Sequence, residues 1–312
     1  MKKYILFIRS SLIAMMLFGA CAVNAKVVNV EFKFTPFTGD TKEDHVDSVP
    51  GKAKVFINNI LIAERDIDKQ ELPVLFDERE VSPSVWVPVA SVGSAVRKGK
   101  NSIRIEFEPS QPTPYHAQLS WASVSDQTTE TTEGGSGKST NQIGEGKDEK
   151  NATGKIMFER EFAADFAEDK PWHHYPAVTS VSEEDKQALA RLLKDRADAF
   201  KPKFNGLYQL LEGKPGINLA QARKAKCLDK AYAAGVRMDP PSPADLEFVT
   251  TGNPEVVIKR KDAPPLFQPD KAAFGRIKGD EMQMCAGILL SIVYPPQLIV
   301  VHKPDGLWEA VD

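Results

Sequence analysis

Between Ser125 and Thr153 the chain carries 29 residues of which only Ile143 and Ala152 are apolar. So polar a stretch has nothing with which to build a core of its own, so it divides the 312-residue chain into two parts. Its Gly, Ser, Thr, Glu and Lys content predicts a disordered linker, spanning roughly 30 Å r.m.s. as a flexible coil. The expected partition is a signal segment over 1–25, a first domain over 26–124, the linker over 125–153 and a second domain over 154–312. Within the linker, Gly134-Gly135-Ser136-Gly137-Lys138-Ser139-Thr140 contains a Gly-Lys-Ser that invites a phosphate-loop reading. That motif needs a further glycine where Thr132 stands, a buried strand before it and a helix after it. Polar sequence lies on both sides, so the reading is rejected.

The N-terminus has the three regions of a secretory signal. Lys2, Lys3 and Arg9 supply positive charge, Leu12–Ala20 a short apolar core, and Val23 and Ala25 a small-residue cleavage site before Lys26. About nine apolar residues are too few for a spanning helix, which needs about 20. Phe18-Gly19-Ala20-Cys21 also approaches a lipoprotein box, although Phe stands where Leu is preferred, so a lipid anchor on Cys21 is the alternative. No later segment is long and apolar enough to cross a membrane. The expected location is therefore periplasmic or secreted, with the mature chain soluble or tethered only by lipid.

Export bears on the cysteines. Once Cys21 is removed, Cys227 and Cys285 remain, and an even pair in an oxidising compartment reads first as a disulfide, with two buried free thiols as the alternative. The charge balance excludes a partner class. Forty Lys and Arg against 43 Asp and Glu leave a formal charge of −3, with none of the basic excess that nucleic acid would demand.

In the first part, Val28, Val30, Phe32 and Phe34 alternate with polar residues, as in a half-buried strand. Asn58-Asn59 tolerate positive φ and suit a tight hairpin between Val55–Ile57 and Ile60–Ile62. Apolar runs follow at Leu72–Phe76 and Val85–Val92, then alternating strands at Ile103–Phe107 and Tyr115–Trp121. Six or more short strands without a helix predict an all-β sandwich. Val55-Phe56-Ile57-Asn58-Asn59 followed by Arg97-Lys98-Gly99-Lys100-Asn101-Ser102-Ile103 resembles the galactose-binding-like jelly-roll family. The resemblance covers about 52–107 and implies a fold used in carbohydrate-active proteins, sometimes to bind sugar and sometimes only structurally. Asp40, Glu43, Asp44 and Asp47 in the loop after the first strand are candidate oxygen ligands for Ca²⁺, although the spacing matches no EF-hand and a solvated loop is the plainer reading.

In the second part, Ser182 with Asp185 reads as a capping box opening a helix with Leu189, Leu192, Leu193 and Phe200 on one face. Further helices are expected around Leu207–Leu211 and from Asn218 to Gly235, with Asp270 capping a short one. Met282–Tyr294 reads as a long strand, followed by a closing hairpin of Leu298–His302 and Leu307–Val311. Helices followed by hairpins predict α+β. The ending Ile299-Val300-Val301-His302 and Asp305-Gly306-Leu307-Trp308 is similar to the NTF2-like (SnoaL-like) superfamily, which implies a curved sheet enclosing a conical pocket. A Cys227–Cys285 bridge is then expected to pin helix to sheet.

Trp172, His173, His174 and Tyr175 form an aromatic cluster able to stack on a sugar or a partner chain, or to pack a loop. No zinc-protease, paired-cysteine or nucleophile-elbow motif occurs. Two functions stay open: a non-catalytic envelope protein binding a glycan, small ligand or protein partner, and an enzyme with its pocket in the second domain. No cofactor is expected beyond the candidate Ca²⁺.

Overall fold

The computed structural model describes residues 26–75, 80–132, 135–214, 216–261, 265–269 and 271–311, with only the backbone over 126–143 and at 271. The expected signal segment with Cys21, and Asp270, lie outside the described residues.

Among the described residues, eleven strands build the first half: β1 (Val27–Thr38), β2 (His45–Ser48), β3 (Gly51–Ile57), β4 (Ile60–Ile67), β5 (Glu71–Leu75), β6 (Glu80–Val81), β7 (Val85–Pro88), β8 (Lys100–Pro109), β9 (Tyr115–Thr132), β10 (Gly135–Ala152) and β11 (Ile156–Ala163). They form two antiparallel sheets, β10-β9-β1-β2-β5-β6 with β7 paired to β1, and β11-β8-β3-β4. The alternation read from sequence is the burial pattern: Phe32 and Phe34 of the first sheet and Ile103, Ile105 and Phe107 of the second enter one shared core. Phe34 meets Phe107 and Phe158 across it, with ring centroids 5.8 and 6.0 Å apart. At the β3–β4 turn Asn58 and Asn59 take φ of 49° and 64°, the left-handed pair that the tight hairpin needs.

The larger sheet curls into a half-barrel. β6 stands at the far end of its strand order, yet the Val81 N–H donates to Gln118 Oε1 on β9 at 3.1 Å. Thr35 Oγ1 on β1 donates to the Ser82 carbonyl at 3.0 Å. The end of the sheet therefore folds back over its own outer face.

Residues 125–153, expected as a disordered linker, lie almost wholly in the β9–β10 hairpin, whose register runs from Gly135↔Thr132 to Ala152↔Tyr115. Composition misleads here because a strand needs no apolar side chains of its own when a neighbour satisfies its backbone. Threonine at 128, 129, 131 and 132 also favours extended backbone. β11, expected in the second domain, pairs along its whole length with β8 and so completes the first half.

The second half contains α1 (Glu183–Asp198), α2 (Asn205–Leu210), α3 (Leu219–Ala225), α4 (Cys227–Ala233), β12 (Met238–Asp239), β13 (Leu246–Thr250), β14 (Glu255–Arg260), β15 (Gln268–Pro269), α5 (Lys271–Gly275), α6 (Asp280–Val293), β16 (Leu298–His302) and β17 (Trp308–Ala310). Ser182 caps α1 as expected, its Oγ accepting from the Asp185 N–H at 3.1 Å while Asp185 returns a bond to the Ser182 N–H. That hydroxyl first, and then the indole of Trp308, hold the Asp185 carboxyl below the usual carboxylate range. The single helix expected over 218–235 is two, broken at Lys226, whose φ is 55°.

Met282–Tyr294 is not the expected strand: the run through Val293 is helical, and Tyr294 is the C-cap. A nearly continuous apolar run does not reveal its period. The buried positions Ala286, Leu289, Leu290 and Val293 show the three-to-four spacing, and Asp280 and Glu281 favour a helix N-terminus. Cys285 is consequently helical, and the Cys227–Cys285 bridge, with Cα atoms 6.0 Å apart, joins α4 to α6. It pins helix to helix where helix to sheet was expected. Its sequence separation of 58 corresponds to about 4 kcal/mol of loop-closure stabilisation.

β13, β14, β16 and β17 form an antiparallel sheet covered on both faces. Val256, Ile258, Leu298 and Val300 enter the helical core, while Val257 belongs to the first-half core, with Val249 and Ile299 packed against it. The two halves thus share a buried seam, with one face of this sheet under the helices and the other on the first-half core. Burial on both faces also explains why Val256-Val257-Ile258 reads as an unbroken apolar run.

Candidate functional site

Polar groups crowd two places, one buried and one open. The buried place is the seam. Asn58 and Asn101, the asparagines of the jelly-roll-like motifs, bond to each other at 2.8 Å, and Asn101 Oδ1 accepts from the Arg97 N–H at 2.8 Å. This network holds the loop after Ala95 so that Arg97 reaches the second half. There its guanidinium pairs with Glu255, whose side chain is 1% exposed, and donates to the His173 carbonyl at 3.2 Å. Asn59 Nδ2 adds a bond to the Thr251 carbonyl at 3.0 Å.

The aromatic cluster expected to bind ligand borders this seam. Trp172 and His173 lie on a 3₁₀ turn over Pro171–His174, their rings edge to face at 5.7 Å. The His173 side chain is 4% exposed, and its Nδ1 accepts from the Lys170 N–H at 3.3 Å. The ring proton therefore resides on Nε2, which is buried and has no partner among the described residues, as are Trp172 Nε1 and Glu255 Oε1. Burial first, and then the Arg97 charge, push the His173 pKa down. His174 is exposed and pairs with Asp169 at 3.0 Å, while Tyr175 is half-buried.

The acidic loop does not form a cation cage among the described residues, where no group of three or more His, Cys, Asp or Glu side chains comes together to hold a metal. Asp40 Oδ1 accepts from the Lys42 N–H, Asp47 on β2 pairs with Lys69 at 3.3 Å, and the Asp44 carbonyl accepts from Val74. Glu43 closes a turn by donating its N–H to the Asp40 carbonyl.

The open place is the outer face of the curled sheet. The ladder aligns Trp86 (β7), Lys33 (β1), Ser120 (β9) and Lys147 (β10) in one rung. Residues directly opposite one another point the same way, so four strands ~4.8 Å apart present a row about 14 Å long. Val85 and Val87 are buried, which leaves Trp86 outward and 58% exposed. Its Nε1 donates to Glu31 Oε2 at 3.3 Å, which steadies the ring against the sheet.

Beside Trp86, Lys33, Glu80, Ser120, Ala122, Glu145 and Lys147 line a cavity of about 250 Å³ under the folded-back β6. Lys33 Nζ lies 3.2 Å from Glu80 Oε1, which also accepts from Ser120 Oγ at 2.9 Å. Lys147 pairs with Glu149 at 3.0 Å, and that bond, reinforced by Gln118, lowers the Glu149 pKa. β10 reaches this position because Gly146 rests on the Trp121 ring, where a Cβ would overlap it. Both lysines are matched by carboxylates, so the row offers donors and acceptors without net demand for an anion.

None of these face residues was singled out from sequence. The available signal was Val85-Trp86-Val87, a tryptophan at the polar phase of an alternating strand. Comparison of the chain with protein-family models, with curated proteins and with solved structures finds no match, so what the site does rests on its own chemistry.

Proposed function

We propose that this is an exported, non-catalytic binding protein whose ligand is an uncharged glycan held on the outer face of the curled sheet. The observation that carries the reading is Trp86, an exposed indole at one end of a rung of charge-balanced polar groups. An indole offers an apolar face to the C–H surface of a sugar ring. Ser120, the Lys33–Glu80 pair and the Lys147–Glu149 pair supply donors and acceptors at fixed positions for hydroxyls. Two antiparallel sheets around one core support the jelly-roll reading of the first half, and the disulfide is consistent with an oxidising compartment.

Titration of the full mature chain with neutral oligosaccharides, followed by tryptophan fluorescence and calorimetry, tests the reading. Saturable binding that is abolished by Trp86→Ala and weakened at least tenfold by Ser120→Ala is expected. Binding that survives Trp86→Ala unchanged, or no binding across a broad neutral glycan panel, overturns it.

A further inference from the structure

β4 ends the sheet order β11-β8-β3-β4, with no strand beyond it among the described residues. The Asn58 N–H donates to the Ser102 carbonyl at 2.9 Å and the Ser110 N–H to the Pro50 carbonyl at 2.9 Å, so the even-numbered residues of β3 bond with β8. Its odd-numbered residues bond with β4, where Ala53 and Val55 stand opposite Arg65 and Ala63. Glu64 and Asp66 therefore turn their N–H and C=O groups outward, away from the sheet. At one end this edge has a substitute neighbour, because Gln297 Nε2 from the second half donates to the Leu61 carbonyl. From Ile62 to Asp66 the edge is open over roughly 13 Å. A groove of about 510 Å³ lies between it and β7 of the larger sheet. The lining is mixed: Ile62, Ala63 and Val92 are apolar, Ser91 and Ser94 carry hydroxyls, and Arg65 brings the one charge among the described residues. Arg65 is exposed, and no carboxylate pairs with it among the described residues.

We infer that this groove takes an extended, acidic peptide segment of a partner protein, added to β4 as a further strand and held at a carboxylate by Arg65. Outward-turned N–H and C=O groups at strand spacing match the main chain of an extended peptide, whose alternate side chains suit a mixed lining. The unpaired guanidinium selects a carboxylate on that peptide. A second copy of this chain fits badly. Antiparallel pairing of β4 with β4 about Glu64 opposes two Glu64 carboxylates, and pairing about Arg65 opposes two guanidiniums and sets Glu64 against Asp66; like charges directly opposite are destabilising. The site uses main-chain groups of the smaller sheet and does not depend on the glycan reading.

The test is a set of acetylated, amidated hexapeptides alternating valine and threonine, each with one aspartate at a different position, titrated into the full mature chain. Saturable binding of at least one member is expected, with slowed amide exchange at Glu64 and Asp66. N-methylation of the alternate amides that face the edge should abolish binding, and methylation of the other alternate set should leave it intact. Arg65→Gln should weaken the aspartate peptide about fivefold, as for one exposed ion pair, and leave its asparagine counterpart unchanged. The peptide comparisons on the wild type decide the matter even if this variant folds poorly. No binding by any member, or equal effects from the two methylation sets, overturns the added strand. Equal wild-type affinity for the aspartate and asparagine peptides overturns the acidic partner.

Discussion

The seam and the outer sheet face are built from the same residue types, a tryptophan beside paired charges, and differ in their access to water. At the seam Glu255 is 1% exposed, and Trp172, His173 and Glu255 each leave a buried polar atom unpartnered among the described residues. On the face Trp86 is 58% exposed, and the Lys33–Glu80 pair keeps 27% and 21% of its side-chain surface in water. Desolvated groups lose much when a partner goes, whereas solvated groups exchange partners cheaply. The seam should therefore govern stability and the face recognition.

Substitution at Glu255 gives the largest expected effect. Glu255→Gln leaves Arg97 charged in a buried site, and breaking such a pair costs about 3–5 kcal/mol. Urea denaturation should register it, and a loss below about 1 kcal/mol would mean that the seam is hydrated like the face. A glycine on β10, on the side of the sheet behind that face, comes next. Gly146→Ala forces a Cβ into the Trp121 ring, an overpacking expected to cost about 1–3 kcal/mol. Unchanged stability there would show that β10 moves freely and that its lysine is not pre-positioned.

The third effect depends on pH. His173 has its pKa pushed below the ordinary 6.5, so the unfolded chain takes up this proton before the folded chain does. Its contribution is fully present above about pH 6.5 and is lost as pH falls through that value towards the lowered folded pKa. Stability of the wild type should therefore fall between neutral pH and pH 5, and His173→Gln should flatten the decline. The same slope in both proteins would assign it to other groups. Lys33→Ala should have the smallest effect on stability, within about 1 kcal/mol as for other part-exposed pairs. It should nonetheless weaken glycan binding severalfold. Intact affinity with lost stability would reverse the roles assigned to the two regions.

Much of the strand pattern was legible before the structure, and the site was not. Phe32 and Phe34 declare a half-buried strand by alternation, Asn58-Asn59 declare the hairpin, and Ser182 with Asp185 declares the start of α1. These are local signals with local physical causes. Trp172–Tyr175 stand out because four ring-bearing residues adjoin in sequence, but sequence does not say that Arg97 bridges Glu255 and the His173 carbonyl. Trp86 was hidden in an apolar run, because a tryptophan between two valines becomes conspicuous only once both valines are known to face inward.

By itself the sequence determined the β-rich first half, the helical onset of the second, the pairing of Cys227 with Cys285 and the turns that join the strands. Each follows from residue periodicity, backbone freedom or an even cysteine count, quantities carried by a few neighbouring residues. Tertiary structure alone decided that the polar stretch from Ser125 is a paired strand, that Met282–Val293 winds as a helix and that Trp86 stands outward at the end of a polar rung. Those outcomes depend on which backbone satisfies a hydrogen bond and which surface covers an apolar face. Such partners lie tens to hundreds of residues away and leave no mark on the local pattern.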